Sequence, residues 1–117
     1  MYNVIYIYPV PEKNTSEFLR IQSEASEIYL GYGTLSDQTF SLDNSESKYG
    51  CLPFTRALTL KEGERTYLSI TTFDSSKHHD EVMKKVNANP EIDKLFNEVE
   101  KLIDVSRIVR GEFNLAL

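Results

Sequence analysis

The chain has 117 residues, 40% of them hydrophobic and 26% charged, which suits one globular domain with a single core. Thirteen Lys and Arg against eighteen Asp and Glu leave a net charge of −5, so the basic surface that nucleic acid requires is missing. Cys51 is the only cysteine, which excludes an intrachain disulfide and points to a reducing, cytoplasmic location. No apolar run approaches the ~20 residues of a membrane span, and Met1-Tyr2-Asn3-Val4 lacks the basic lead of a signal peptide.

In chain order, Tyr2 to Tyr8 is rich in aromatic and β-branched residues and stops at Pro9 and Pro11, which predicts a strand. Its alternation places Ile5 and Ile7 on one face and Val4, Tyr6 and Tyr8 on the other. Asn14, with Glu17 three residues on, has the form of a capping box. Phe18, Ile21, Ala25, Ile28, Tyr29 and Tyr32 follow at helical spacing, and Gly31 and Gly33 supply the stop. Gly31-Tyr32-Gly33 closes a helix, whereas a dinucleotide fingerprint opens one.

Leu35 to Leu42 predicts a second strand, and Asp43 to Lys48 a polar loop. Thr55 to Leu60 and Arg65 to Phe73 predict two more strands, joined as a hairpin across Lys61-Glu62-Gly63-Glu64. In the second of these, Leu68 and Ile70 oppose a face of Tyr67, Ser69, Thr71 and Phe73. Asp74 or Ser75 caps a short helix with Val82 and Val86 on its buried line, and Pro90 stops it. Ile92, Leu95, Phe96, Val99, Leu102 and Ile103 mark a second helix, and Arg107 to Leu115 a last strand.

This order predicts an α+β fold, ferredoxin-like βαββαβ with one added strand and an antiparallel sheet covered by helices on one face. Ile5, Ile7, Leu68 and Ile70 are expected beneath the helices. Tyr6, Tyr8, Tyr67 and Phe73 are then left bare on the opposite face, and bare aromatic surface implies an interface or a pocket. A second copy packed sheet to sheet would cover it and enclose a cavity, which gives a homodimer.

Several stretches resemble the YbaA-like family, a family of unknown function within the dimeric α/β-barrel superfamily. They are Pro9-Val10-Pro11 with Lys13-Asn14, Phe54-Thr55-Arg56-Ala57-Leu58 and Leu60-Lys61. Further on come Ser75, His78, Asp80, Val82, Lys85-Val86 and Pro90, then Asp104, Arg107, Gly111 and Phe113. The chain departs from the family pattern at Thr55, where proline is usual, at Asn89, where aspartate is usual, and at His79, where a basic residue is usual. The resemblance implies a ferredoxin-like subunit in a dimeric α/β barrel. The superfamily includes cofactor-independent monooxygenases, haem-degrading enzymes and lactone isomerases, a range too wide to choose among.

Candidate chemistry centres on His78, Tyr67 and Arg56 as catalytic residues. His78 is read either as a general acid or base at a cavity mouth or as a helix-capping side chain. The adjacent His79 points ~100° away around the helix, so the two do not form a metal site. Arg56 and Arg107, set among hydrophobic neighbours, call for partners, and Asp104 is the expected partner of Arg107. Tyr6, Tyr8, Ser69, Phe73 and Arg107 are the expected ligand-binding residues, with no metal or cofactor. The functional expectation is a small-molecule-handling dimer, monooxygenase- or isomerase-like. The alternative is a non-catalytic dimeric module whose aromatic face serves only assembly.

Overall fold

The structure, a computed structural model, describes residues 1–117. Four strands, β1 (Tyr2–Pro11), β2 (Ser36–Ser41), β3 (Glu64–Phe73) and β4 (Val109–Asn114), form one antiparallel sheet in the order β2-β3-β1-β4. Three main helices, α1 (Thr15–Gly31), α3 (Ser76–Asn87) and α4 (Pro90–Leu102), pack on one face of it. A single-turn helix, α2 (Phe54–Ala57), lies in the long connection from β2 to β3. The result is the ferredoxin-like α+β arrangement.

That short helix replaces the expected strand over Thr55–Leu60, and the expected hairpin across Lys61–Glu64 is absent. Pro53 at the N-cap has its φ set for entry into a helical turn, and Thr59 takes a positive φ of 51° that ends it. β3 pairs with β2 instead, from Ser36 opposite Thr72 to Ser41 opposite Tyr67.

The helices cover the face that alternation had placed outside. Val4, Tyr8 and Val10 of β1 and Tyr67, Ser69, Thr71 and Phe73 of β3 are buried beneath them. Phe18 and Ile21 of α1 and Leu95 and Val99 of α4 join Tyr8 and Tyr67 in the main core. Phe73 and Val4 form a second cluster under Val82 and Val86 of α3. Burying aromatic rings removes more apolar surface from water than burying Ile or Leu, and α1 brings Phe18 to receive them. Its ring meets Tyr8 edge-on at 5.0 Å and Tyr67 at 5.3 Å.

Ile5, Ile7, Leu68 and Ile70 therefore lie on the open face. Register places Phe40, Leu68, Ile7 and Val109 in one row across all four strands, with Gln38, Ile70, Ile5 and Gly111 in the next. The Phe113 ring lies over Gly111, where an added Cβ would come within 2.9 Å of it. The molecule is a plate, 40 × 37 × 21 Å. Its radius of gyration of 15.0 Å exceeds the ~13 Å of a compact domain this long.

Local caps follow the sequence in part. Ser75 caps α3, its Oγ accepting from the His78 backbone N–H, and Asn89 caps α4 with Pro90 at the first helical position. Asn14 makes no capping bond. Its amide donates to the Leu102 carbonyl at 3.0 Å and ties the start of α1 to the end of α4, while Glu17 pairs with Arg20. No helix is long and apolar enough to cross a membrane.

Candidate functional site

Between the sheet and the helices α1 and α4 lies a cleft of about 340 Å³. Its walls are mostly apolar, with Ile21, Ala25, Ile92, Leu95 and Val99 among them, and its floor is the helix-facing side of the sheet. Polar groups enter from the strands: Asp37 of β2, Ser69 and Thr71 of β3, Tyr6 and Tyr8 of β1, and Arg110 of β4. The cavity thus lies on the helix-covered face, not enclosed by the bare face as alternation had suggested.

Asp37 and Arg110 stand on the two outer strands. One Asp37 oxygen accepts from Thr71 Oγ1 at 2.6 Å, and no cation pairs with the carboxylate. Burial raises its pKa, with the Thr71 hydrogen bond opposing the shift. Arg110 donates from Nε to Tyr6 Oη at 2.9 Å and from Nη2 to Glu112 Oε2 at 2.7 Å, its guanidinium centre 5.4 Å from the Tyr6 ring. Glu112 also accepts from Tyr2 Oη, and His79 Nε2 lies 3.9 Å from it. The Tyr2 and Arg110 bonds hold the Glu112 carboxyl below its usual range.

Burial pushes the Tyr29 phenol up to about 12 and raises that of Tyr8 as well, so both stay protonated donors. Tyr8 Oη lies 3.4 Å from Ser69 Oγ, and Tyr29 Oη has no hydrogen-bond partner in the protein.

An aspartate kept away from cations in an apolar wall costs stability in its charged form. Its raised pKa means that folding is favoured with the proton on and opposed as pH rises through the carboxyl range. Asp37→Asn keeps the Thr71 bond and removes the charge, so it should raise the melting temperature at pH 7. That gain should shrink as the pH falls below the carboxylate range, which thermal melts at pH 7 and pH 3.5 would show.

Of the residues the sequence singled out, the cleft brings together Tyr6, Tyr8 and Ser69. Tyr67 is core, packed on Phe18, and Phe73 is wholly buried under α3. His78 lies outside the cleft, and its Nδ1 accepts the Asp74 backbone N–H at 2.9 Å, so it braces the start of α3. His79 is the histidine that turns to the sheet, edge-on to Phe73 at 4.8 Å and beside Tyr2. Arg56 is exposed on α2, and its side chain makes no hydrogen bond or ion pair.

Arg107 sits in a 3-10 turn outside the cleft. Its partner is Glu64, not Asp104: Nη1 meets Oε2 at 2.6 Å and Nη2 meets Oε1 at 2.8 Å. Asp104 instead caps the turn through Ser106. The Arg107 guanidinium holds Glu64 down to about 2. A depressed carboxyl contributes stability above its unfolded value of ~4.3 and loses it as pH falls toward the folded value. Arg107→Ala should lower stability at pH 7. In urea melts, the gap from wild type should narrow between about pH 5 and pH 2.

Asp37, Tyr29 and Arg110 are functional candidates that the sequence reading did not single out. The alternation Val109-Arg110-Gly111-Glu112-Phe113 was visible, but its meaning depends on β4 lying beside β1, with Arg110 opposite Tyr6.

Three solved structures are similar over nearly their whole length. An uncharacterised NIPSNAP domain protein from Burkholderia xenovorans matches with a TM-score of 0.62 at 11% identity, over 99% of this chain and 95% of that one. Protein Atu4242 from Agrobacterium tumefaciens gives 0.59 at 16%, over 99% and 94%. At3g17210 from Arabidopsis thaliana gives 0.63 at 9%, over 100% and 97%. These likenesses establish the shared fold. No curated protein matches the sequence. The model of the family described as "Protein of unknown function (DUF1428)" matches residues 1–102, and the chain belongs to that family.

Proposed function

We propose that the protein binds a small, largely apolar molecule in the cleft between the sheet and helices α1 and α4. The observation that carries this reading is the cleft itself. Its volume of about 340 Å³ lies in the ~300–1,000 Å³ range of small-molecule sites. Its lining has the usual character of such sites, an apolar wall with a few polar groups aimed inward. Asp37 is the group suited to proton transfer, because a carboxyl raised by burial exchanges a proton closer to neutral pH. That would fit an isomerase-like reaction, with Tyr6, Tyr8 and Tyr29 as hydrogen-bond donors to the ligand.

We also propose that two copies pack through the open sheet face. Ile5, Ile7, Phe40, Leu68, Ile70, Val109 and Phe113 lie there, and register puts Asn3, Ser36, Gln38, Thr66, Thr72, Pro9, Pro11 and Gly111 beside them, with Glu64 at one end, paired to Arg107. In a chain of net charge −5, a face whose one charged strand residue, Glu64, is neutralised by Arg107 can meet its own copy with little repulsion. The flat shape of the subunit supports the same assembly, as does the YbaA-like resemblance. The lone exposed Cys51 suits a reducing cytoplasm.

Native mass spectrometry of the protein purified from cells tests the binding reading. The expected result is an added small-molecule mass that disappears in Ala25→Phe, which fills the cleft. Added mass that survives this substitution would place the ligand elsewhere and overturn the assignment.

A further inference from the structure

Resting on that reading of the cleft, we infer that its ligand carries a carboxylate, seated at the Arg110–Tyr6 end. The argument is a count of hydrogen-bonding capacity. Tyr6 Oη accepts from Arg110 Nε, so its own O–H is left to donate, and no protein acceptor takes it. A guanidinium has five N–H groups, and Arg110 directs one to Tyr6 and one to Glu112. The remaining N–H groups and the Tyr6 hydroxyl therefore offer several donors side by side at the rim of an apolar cleft. Charge-assisted bonds from Arg and Tyr to a carboxylate are the strongest these groups can form.

The existing pairings prepare the guanidinium for this role. Glu112 and Tyr6 fix its plane, and the cation–π contact with the Tyr6 ring holds it against the sheet. Glu112 offsets part of its charge, but the Glu112 carboxylate is itself occupied by Tyr2 and faces His79.

The far end of the cleft has the opposite character. Asp37 lies on β2, three strand spacings from β4 in the sheet order, or about 14 Å at ~4.8 Å per strand. Its carboxylate accepts from Thr71 and meets no cation. A matching ligand is an acid with an apolar body, its carboxylate on β4 and any hydrogen-bond donor at the opposite end.

The test uses 4-phenylbutyrate, 4-phenylbutanol and 4-phenylbutylamine, which share an apolar body and differ in the head group. Calorimetric titration of the wild-type protein should show the acid binding about tenfold more tightly than the alcohol. Arg110→Met should abolish that preference, bringing acid and alcohol to within about twofold of each other. Tyr6→Phe, which keeps the ring, should weaken the acid several-fold more than the alcohol. Ala25→Phe should remove binding of all three.

Equal affinity of acid and alcohol would overturn the carboxylate assignment and leave the cleft as the binding site. Preference for the amine would overturn it too, placing the ligand's charge at Asp37. Failure of all three probes to bind, or binding that survives Ala25→Phe, would overturn the cleft reading itself.

Discussion

Phe18→Ala should lower stability by about 3–5 kcal/mol, the range for removing a fully buried phenylalanine. Against a total of about 5–15 kcal/mol, that brings the domain close to unfolding at room temperature. Phe18 has no exposed surface and fills the space between Tyr8 on β1 and Tyr67 on β3, two rings of the sheet that pack against it. Its loss would leave a void, because neither strand can move toward α1 without breaking the β1–β3 ladder. Thermal denaturation followed by circular dichroism should show a midpoint lowered by roughly 10–20 °C. Phe96→Ala is the control. Phe96 is half exposed at the outer edge of the cleft, and its loss should cost less than about 1 kcal/mol. Equal effects of the two substitutions would mean that α1 does not seat Phe18 in the core.

The same pair of rings shows where sequence and structure parted. The alternation in Tyr2–Tyr8 and Arg65–Phe73 separated the two faces of each strand correctly, since the register keeps Tyr6 with Ser69 and Ile7 with Leu68. Which face meets the helices was read the wrong way round. Both faces are apolar, so alternation carries no sign, and the preference for aliphatic residues inside decided it. Aromatic residues bury more area, and here α1 and α4 meet them with Phe18, Ile21, Leu95 and Val99. The hydroxyls of Tyr6 and Tyr8 gain room in a cleft inside the sandwich.

Helices α1, α3 and α4 were legible because each carries one apolar stripe and a local stop. The segment Thr55–Leu60 was misread because six residues, apolar at Ala57, Leu58 and Leu60, are too few to separate the strand and helix periods. The cleft was legible only in part. Tyr6, Tyr8 and Ser69 lie on strands whose pairing could be inferred. Asp37 and Arg110 acquire meaning only from the strand order β2-β3-β1-β4, which places them at opposite edges of one floor.

Leu68→Lys should convert a two-chain species to single chains without unfolding them, while Tyr67→Lys, one residue away, should unfold the chain. Leu68 lies in the central row of the open face with Phe40, Ile7 and Val109, and its side chain is partly exposed in the single subunit. A lysine there can reach water in the monomer. In a two-fold dimer the same lysine is buried, and the symmetry places it in the interface twice. Each buried, unpaired charge costs several kcal/mol, so dissociation should rise at least a thousandfold. Tyr67 is 5% exposed and packed on Phe18, and a lysine at that position removes the ring from the core and places a charge there. Sedimentation velocity and circular dichroism together separate the outcomes. A folded Leu68→Lys protein that still sediments as two chains would place the contact on another surface. A folded, monomeric Tyr67→Lys protein would restore the aromatic face to the interface and return the helices to the aliphatic one.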